Sequence, residues 1–253
     1  RMHESHDAIV VAGGDGTVAR IFAVASRDCP PLAVLPLGTA NNIAVGIGVR
    51  RPVPELIEGL DAGRVIAYDS GLASGPWDEA RFFESVGVGV FGAAWRRVPS
   101  EDKVNEGLTA LTEGFSTESP FEATLTLDGL PSRESLLLVE VLRAPAIGPA
   151  LIFAPKVAPD DGLLHVARAR EEDRKALVQW LRNPYRHPAP VDVVTARAVE
   201  ILWHDADFHR DDYFHDGMPL PQRISASIET AAFRLLNREA IREIRNGVHP
   251  PTA

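Results

Sequence analysis

Apolar positions in the first quarter of the chain follow two different periods. Residues 8–12 form a short β-branched run ahead of a glycine turn, which predicts a strand buried on both faces of a parallel sheet. Residues 18–25 then place apolar side chains at i, i+3, i+4 and i+7, the spacing of a buried helical stripe. A second apolar run at 32–37 and a second helical stripe at 53–60 repeat this order. Residues 1–63 are therefore predicted to form an α/β domain.

The period changes to two after residue 63. Residues 121–127 alternate apolar and polar side chains up to an Asp-Gly turn, which predicts a half-buried strand of an antiparallel sheet. Strand-like segments return from 191 to 236. Residues 64–236 are therefore predicted to form a mostly antiparallel, β-sandwich-like domain, and the predicted fold class is α/β plus β-rich. Three further helices are predicted over residues 103–117, 173–182 and 238–246.

A glycine turn links the first predicted strand to the first predicted helix. Gly13, Gly14 and Gly16 carry no Cβ and can adopt positive φ, so backbone N–H groups there can approach a phosphate closely. Thr17 is predicted to open the helix, whose N-terminus adds free N–H groups and the positive end of its dipole. Asp15 would repel a bare phosphate, so its presence indicates a metal ion or an ordered water between the carboxylate and a nucleotide.

A second turn of small and polar residues follows the second predicted strand. It contains Gly38, Thr39, Asn41 and Asn42. Because the carboxyl ends of neighbouring parallel strands meet at one edge of an open α/β sheet, the two turns are expected to form one crevice that binds a nucleotide. For the first turn taken alone, a plain strand-to-helix connection is the alternative, since short motifs recur by chance.

Composition narrows the classes of function. The chain has 253 residues, of which 45% are hydrophobic, and this is enough for two domains with real cores. Its formal charge of −9 argues against nucleic acid as a partner and gives no long-range attraction to an anionic membrane. Cys29 is the only cysteine, which excludes an internal disulfide and suits a reducing cytoplasm. No apolar run approaches the ~18 residues of a membrane-spanning helix.

Several stretches together resemble the catalytic domain of diacylglycerol kinases and their relatives, the sphingosine kinases and bacterial lipid kinases. The resemblance starts with GGDGT at residues 13–17, which NAD kinases and phosphofructokinases share, and with LPLGTANN at 35–42, which favours the lipid kinases. It continues in RVIAYDSG at 64–71, RFFESVGVGVFG at 81–92, APKVAPDDGLLHV at 154–166 and HDGMPL at 215–220. The resemblance spans residues 7 to about 236.

The resemblance implies an enzyme that transfers the γ-phosphate of ATP to a lipid hydroxyl such as that of diacylglycerol. ATP and its metal would lie at residues 13–17 and 38–42. Mg²⁺ would also be held by a loop through the Asp161 side chain and the carbonyls of Ala158 and Leu163, and a simple Asp-Gly turn is the alternative there.

The partners and location implied by the resemblance follow from that activity. The chain would meet a lipid substrate at the membrane surface, as a cytoplasmic protein or one peripheral to the membrane. Whether it forms a homo-oligomer is left open. Its C-terminal segment, residues 237–253, would pack back on the first domain.

The chain departs from the family pattern at residues that bear on activity. Met218 replaces the glutamate of the family's Asp-Gly-Glu, which is taken to be the general base, and a thioether cannot accept a proton near neutral pH. Asn42 stands where many members have aspartate, and Arg143 stands where asparagine is usual. Asp216 would share a strand face with Met218 in an extended segment, so it is the expected substitute base, catalytic together with Asp15.

These departures keep other functions open. Losing a general base lowers a rate roughly 10²–10⁴-fold, so activity is expected to be reduced or lost. A catalytically inactive nucleotide- or lipid-binding module is the alternative, and an NAD kinase is a third, weakened because no second Asn-Glu motif follows the first helix. Family members carry further βα structure ahead of GGDGT, so an exposed sheet edge is expected at residues 9–11.

Two more segments have competing explanations. Valines alternate with glycines over residues 86–90, which indicates either a shallow groove for an acyl chain or, as the favoured explanation, the close packing of another backbone. Residues 204–216 contain eight histidine and aspartate side chains, a density that suits a transition metal. Polar turns and strand faces explain that density more simply.

Overall fold

The computed structural model describes residues 6–49, 51–60, 64–96, 98 and 103–237. The strands are, in chain order, β1 (Ile9–Gly13), β2 (Leu32–Pro36), β3 (Arg64–Ser74), β4 (Ala80–Phe82), β5 (Ser85–Gly89), β6 (Phe121–Leu127), β7 (Leu130–Leu136), β8 (Leu138–Leu142), β9 (Ala146–Ile147), β10 (Leu151–Ile152), β11 (Leu164–Ala169), β12 (Asp192–Ala196), β13 (Ala198–Trp203), β14 (Phe208–Arg210), β15 (Tyr213–His215) and β16 (Gln222–Asn237). The helices are α1 (Asp15–Val24), α2 (Asn42–Gly46), α3 (Val53–Glu58), α4 (Val90–Trp95), α5 (Lys103–Thr117) and α6 (Arg174–Trp180), with a 3₁₀ turn at Glu171–Asp173.

The larger sheet is parallel at one end and antiparallel over the rest. β1 and β2 pair in parallel, from Ile9 opposite Leu32 to Gly13 opposite Pro36. β2 then pairs in parallel with β16, beyond which β13, β6 and β7 follow in antiparallel order. The other edge of β16 pairs antiparallel with β3, which in turn pairs with β4. The predicted fold class, α/β plus β-rich, is confirmed.

β16 hydrogen-bonds to strands from both predicted domains. Leu235 lies opposite Leu32 of β2, whereas residues 222–227 pair with β13 and residues 225–237 pair with β3. One strand thus holds both parts of the chain in a single sheet, and the predicted domain boundary after residue 63 stays a prediction. The helix predicted at 238–246, and the packing of the C-terminal segment on the first domain, lie outside the described residues.

β1 is the terminal strand of the described sheet, and one of its faces is open. Only Val11 of its five residues is buried, and Val10 is 47% exposed. The described residues that pack on β1 meet it on the Val11 face, where Val18 and Phe22 of α1 belong to the same core. The expectation that β1 is buried on both faces is therefore wrong. Burial on both faces is instead found in β2, which has a neighbouring strand on either side and is buried at residues 32–35.

The smaller sheet is antiparallel and packs face to face with the larger one. Its order is β12-β11-β8-β5-β14-β15. Val139 and Val166 from this sheet share one buried cluster with Leu125 and Ile201 from the larger sheet. The strand predicted at 121–127 pairs antiparallel with β7 and β13, and both residues of its Asp-Gly turn have positive φ. That part of the prediction is confirmed.

Two predicted helices are present within the β-rich part of the chain. α5 has the predicted bounds, 103–117. α6 is shorter than predicted because its first turn is the 3₁₀ turn and the chain leaves the helix after Trp180. Among the helices of the described residues, none is long and apolar enough to cross a membrane.

Gly87 and Gly89 in β5 are explained by close packing, not by a groove. A Cβ on Gly87 would lie 2.3 Å from the Glu140 carboxylate, and Gly89 has a φ of 108° with the Leu137 carbonyl oxygen 2.3 Å from its Cβ position. Glu140 is buried and pairs with His209, whose Nε2 lies 3.0 Å from each carboxylate oxygen. Burial opposes protonation of His209, but the Glu140 carboxylate outweighs it and raises the pKa of the imidazole.

Gly87→Ala is expected to lower the free energy of unfolding by about 2–4 kcal/mol, because the added methyl group displaces the buried Glu140–His209 pair. Gly75→Ala is the control, since its methyl group would meet only the partly exposed Trp77 ring, at 3.1 Å. Urea-induced unfolding of both variants measures the difference. Equal midpoints for Gly87→Ala and the wild type would show that the pair does not need the space at Gly87.

Candidate functional site

Two glycine turns meet backbone to backbone at the carboxyl ends of β1 and β2. A Cβ built on Gly38 would lie only 2.4 Å from Cα of Gly14, and one built on Gly14 would lie 2.9 Å from Cα of Gly38. The Leu37 N–H also donates a hydrogen bond to the Gly13 carbonyl oxygen at 3.0 Å. The structure therefore brings together the two turns that the sequence places after neighbouring strands.

The glycines of these turns serve close approach and not a left-handed backbone. None of the four has a positive φ, so it is the missing Cβ, and not the left-handed conformation open to glycine, that the first turn uses. α1 begins at Asp15, with Gly14 as an extended N-cap, two residues before the predicted start at Thr17. The first N–H groups of α1 consequently lie at the turn itself.

Asn41 builds the second turn with its own side chain. The Gly38 N–H donates to Asn41 Oδ1 at 2.9 Å, and Asn41 Nδ2 donates to the Gly38 carbonyl oxygen at 2.6 Å. Asn41 is left-handed, with a φ of 53°, and is the N-cap of α2. Its amide, expected to contact nucleotide, is therefore committed to shaping the turn, while Thr39 remains exposed.

The Asp15 carboxylate links the first turn to α2. Its Oδ1 accepts a hydrogen bond from the Ile43 N–H at 2.9 Å. Burial raises the pKa of Asp15, against the lowering effect of the backbone N–H groups of Ile43 and its neighbours. Asp15 is thus a cap for α2, a role that the GGDGT pattern does not reveal.

Two further carboxylates line the same crevice as Asp15. Glu84 Oε1 accepts a hydrogen bond from Asn42 Nδ2 at 3.0 Å. Burial, helped by the charges of Asp15 and Asp211, raises the pKa of Glu84 well above its usual range. Asp211 accepts from two consecutive backbone N–H groups at 3.1 and 2.9 Å, yet burial raises its pKa to about 6. The crevice therefore brings together three acids, each with a pKa raised above its usual value by burial.

Polar and aromatic side chains complete this crevice, which has a volume of about 280 Å³. Asp212 comes close to the first turn, since a Cβ on Gly16 would lie 3.4 Å from its Oδ2. Asn42 Oδ1 is buried and has no hydrogen-bond partner in the described part of the chain. The lining residues are Asp15, Gly16, Thr39, Ala40, Asn42, Glu84, Phe91, Trp95, Val104, Gly148, Pro149, Asp211, Asp212 and Phe214.

The expected base, Asp216, is not among the residues that line the crevice. β15 ends at His215, so Asp216 and Met218 do not share an extended strand face, and that expectation is wrong. The backbone leaves the strand and folds back, and the Met218 carbonyl accepts a hydrogen bond from the Asp205 N–H at 2.9 Å. Asp216 forms an ion pair with Arg96.

The histidine and aspartate side chains of residues 204–216 lie in different surroundings. His204 pairs with its neighbour at the surface, His209 is buried in the sandwich, and His215 stacks on an aromatic ring 4.9 Å away. Within the described residues, no group of three or more His, Cys, Asp or Glu side chains is placed to hold a metal ion. The simpler explanation of this segment, by polar turns and strand faces, fits the structure.

The loop predicted to hold Mg²⁺ surrounds a positive charge from the chain itself. The Asp161 carboxylate and the carbonyls of Ala158 and Leu163 do converge on one centre, as the resemblance implies. The guanidinium of Arg143 lies at that centre and donates hydrogen bonds to all three groups.

Comparison with known proteins shows which family the chain resembles in sequence. Residues 1–73 match the family model of the diacylglycerol kinase catalytic domain. The chain is similar in sequence to diacylglycerol kinases. A diacylglycerol kinase of Mycobacterium tuberculosis is 26% identical over 238 residues, which cover 87% of this chain and 74% of that protein. A Klebsiella pneumoniae protein named a probable lipid kinase, YegS-like, is 26% identical over 216 residues, or 81% and 70% of the two chains.

Solved structures share the fold of this chain. A diacylglycerol kinase from Bacillus anthracis superposes with a TM-score of 0.68 at 21% identity, over 93% of this chain and 78% of that one. Yeast NADH kinase in complex with NADH superposes with a TM-score of 0.54 at 11% identity, over 92% and 62%. At these identities the likeness shows the fold alone, and the sequence relatives carry the resemblance to lipid kinases, which is confirmed.

Glu84 and Asp211 are crevice residues that the sequence analysis did not assign to the site. A signal existed for Glu84, because it is a lone carboxylate between Phe83 and Val86 in an otherwise apolar run, where an unpaired charge is costly. Asp211 gave no such signal, because it is one of eight histidines and aspartates in residues 204–216. Only the pairing of β14 with β5 brings it to the crevice.

Gly38→Ala is expected to force the two turns apart and to lower the free energy of unfolding by about 2–3 kcal/mol, because its methyl group meets backbone that no rotamer change can move. Gly16→Ala is the matched control in the same crevice. Its methyl group would meet only Asp212 Oδ2, at 3.4 Å, and alanine favours the helix. Urea denaturation compares the two variants, and equal stability would contradict the backbone contact.

Proposed function

We propose that this chain is an ATP-dependent lipid kinase that transfers the γ-phosphoryl group of ATP to the hydroxyl of a lipid such as diacylglycerol. The observation that carries the proposal is the crevice in which the two backbone-packed glycine turns meet the carboxylates of Asp15, Glu84 and Asp211. The names of the relatives, diacylglycerol kinase and probable lipid kinase, support the reaction class. The lipid would be met at the membrane surface.

The residues of the crevice fit a nucleotide. The start of α1 presents N–H groups and a positive dipole end at the first turn, which suits phosphate oxygens. The unpartnered Asn42 Oδ1 is a buried acceptor that a donor on the ligand would satisfy. Residues 13–17 and 38–42 are therefore proposed to hold ATP, with the exposed hydroxyls of Thr17 and Thr39 as further contacts.

The carboxylates make a bare triphosphate unfavourable in this crevice. Asp15, Glu84 and Asp211 would repel phosphate oxygens when they are ionised, and the burial that raises the pKa of Glu84 makes that carboxyl harder to ionise. When bound, Mg²⁺ supplies neutralisation of the phosphate charge. Because the described residues form no ready-made metal group, the ion is proposed to enter with the nucleotide.

Asp211 is the favoured general base. Burial raises the pKa of its carboxyl to about 6, close to the neutral pH at which a base must be ionised and still attract a proton. The carboxylate would take the proton of the lipid hydroxyl as its oxygen bonds to the γ-phosphorus and the bond to the ADP oxygen breaks. Asp212, exposed beside Gly16, is the second candidate, whereas Asp216 lies outside the crevice in an ion pair with Arg96.

A catalytically inactive nucleotide- or lipid-binding module is the second candidate function. It is favoured by Met218, which leaves the family's base position without a carboxylate. It would use the same crevice and the same nucleotide contacts without turnover. An NAD kinase-like activity has only the shared fold in its support.

Mg-ATP is expected to bind the wild type, and variants of Asp15 separate its charge from its capping role. Asp15→Asn keeps an oxygen for the Ile43 N–H and removes the charge, so an affinity reduced by roughly 10-fold, ~1.4 kcal/mol, would mark an electrostatic contribution to binding. Asp15→Ala is expected to lose stability as well. Isothermal titration calorimetry measures both, with thermal unfolding alongside. No heat from the wild type would reject the nucleotide site, and unchanged affinity in Asp15→Asn would leave Asp15 as a cap only.

Asp211→Asn is expected to lower kcat for lipid phosphorylation by roughly 10²–10⁴-fold, the contribution of a general base. The wild-type rate should rise with pH through about 6 as the carboxyl ionises. Asp216→Asn is the control and should stay within a few-fold of wild type. Transfer of labelled phosphate to a lipid panel measures the rates. A rate of lipid phosphorylation roughly 10-fold higher in Met218→Glu than in the wild type would instead assign the base to residue 218, the family's position. The absence of lipid-dependent turnover in the wild type and in all three variants would favour the binding module.

Thermal stability gives an independent measure of the Asp211 carboxyl. Its pKa is raised from 3.8 to about 6, so the folded chain holds this proton more tightly than the unfolded chain does. The wild type should therefore lose stability relative to Asp211→Asn as the pH rises from 3.8 to about 6, with a constant difference above that range. A difference that does not vary with pH would contradict the raised pKa.

A further inference from the structure

The guanidinium of Arg143 has a complete shell of oxygen atoms. Its side chain is 0% exposed and lies where the loop of residues 158–163 meets β3. All five of its donor positions are used. The acceptors are Asp161 Oδ1 at 2.9 Å and the carbonyl oxygens of Leu163 at 2.6 Å, Asp69 at 3.1 Å, Ala158 at 3.1 Å and Pro159 at 3.2 Å.

The charge of this buried arginine is balanced locally. Burial opposes ionisation of Asp161, but the hydrogen bonds from His165 and the Ala158 N–H, and the charge of Arg143, hold the pKa of the carboxyl down to about 2. His165 Nε2 lies 2.9 Å from Asp161 Oδ2, and the Leu163 N–H donates to Oδ1 at 3.0 Å. Over the whole neutral range the loop therefore pairs one fixed cation with one fixed anion.

The residues present do not fit a magnesium ion at this loop. Mg²⁺ demands near-octahedral oxygen ligands and keeps several waters. Here one carboxylate oxygen and four carbonyl oxygens already accept from the guanidinium, which fills their centre. A divalent ion beside a buried, permanently charged arginine would also be strongly repelled.

The same arginine ties the loop to the sheet. Its Nε donates to the Asp69 carbonyl oxygen in β3, and the Asp69 carboxylate accepts from the Gly162 N–H of the loop at 2.8 Å. The other oxygen of Asp69 accepts at 2.7 Å from the N–H of Ala231, at the bulge where β16 shifts its register against β3. The conformation of the loop and the pairing of β3 with β16 thus depend on one buried network.

We propose that Arg143 is the permanent cation of this loop and takes the place of the metal ion that the resemblance implies. The loop then keeps its shape in the absence of divalent ions, and the Mg²⁺ needed for phosphoryl transfer is confined to the nucleotide crevice. The inference about the loop rests on the fold and holds whether or not the chain is an active kinase, whereas the place of Mg²⁺ in the crevice rests on the proposed function.

Thermal unfolding of the nucleotide-free chain tests the proposal, in EDTA and in MgCl₂ with ionic strength matched by NaCl. The wild type is expected to unfold at the same temperature in both buffers. Arg143→Asn opens the centre and removes the cation, so its Tm in EDTA should fall by roughly 10 °C. Saturating Mg²⁺ should then restore a part of that loss, because the freed carboxylate and carbonyl oxygens can bind a hard cation.

Two control variants separate this effect from a general loss of stability. Arg143→Lys keeps a cation without the five-donor fork and should lose stability without gaining a response to Mg²⁺. Arg81→Asn removes another arginine that bonds a carboxylate and a carbonyl, Glu229 and Ala25, and should also show no response.

The outcomes divide clearly. A wild-type Tm that rises saturably with Mg²⁺ overturns the proposal if the rise persists in Asp15→Asn and disappears in Asp161→Asn. A rise that disappears in Asp15→Asn and persists in Asp161→Asn comes from Mg²⁺ in the nucleotide crevice, and it supports a metal-free loop. A folded Arg143→Asn protein that ignores Mg²⁺ overturns the idea that the arginine occupies a cation position. If Arg143→Asn does not fold, the response of the wild type to Mg²⁺ decides the question.

Discussion

The contact between the backbones of Gly14 and Gly38 is the constraint on which the crevice depends. It sets the distance between the ends of β1 and β2, and so it lets the Asp15 carboxylate reach the Ile43 N–H of α2. A side chain on either glycine would meet backbone and not a movable group. The start of α1 and the start of α2 thus share one edge of the sheet because two methyl groups are absent.

The β-rich part of the chain supplies the acids that give this edge its chemical character. Glu84 follows β4, and Asp211 follows β14, yet the Glu84 N–H donates to the Asp211 carboxylate and the Glu84 carboxylate accepts from Asn42 of the second turn. Acids from separate segments therefore act on one another, because the charges of Asp15 and Asp211 add to burial in raising the proton affinity of Glu84. The site is consequently a property of both parts of the chain and belongs to neither alone.

The sequence predicted those strands and helices whose formation depends on the spacing of apolar side chains within the segment itself. The strand at residues 121–127 and the helix carrying the apolar stripe of residues 18–25 were predicted because a period of two or of 3.6 can be seen in neighbouring residues. The adjacency of the two glycine turns also followed, since parallel strands carry their carboxyl ends to one edge.

The predictions that were wrong or incomplete concern residues whose positions depend on contacts outside their own segment. Asp216 left the expected strand face because the backbone after His215 bonds to Asp205 and not to a strand. Asp211 reached the crevice only through the pairing of β14 with β5. The burial of only one face of β1 likewise depends on which elements pack against the sheet, and no pattern within residues 8–12 contains this information.

The position of β16 also governs how this protein can fold while it is being made. β2 and β3 leave the ribosome early, but the strand that pairs with both of them is made last of the sixteen, at residues 222–237. Contacts between such distant segments carry a large loop-closure entropy, so they form slowly. Until then the nascent chain exposes unpaired strand edges and an incomplete apolar core, the features that favour association with other chains. The larger sheet is therefore completed only after translation has passed residue 237, and the segments made before β16 keep unpaired strand edges until it is in place.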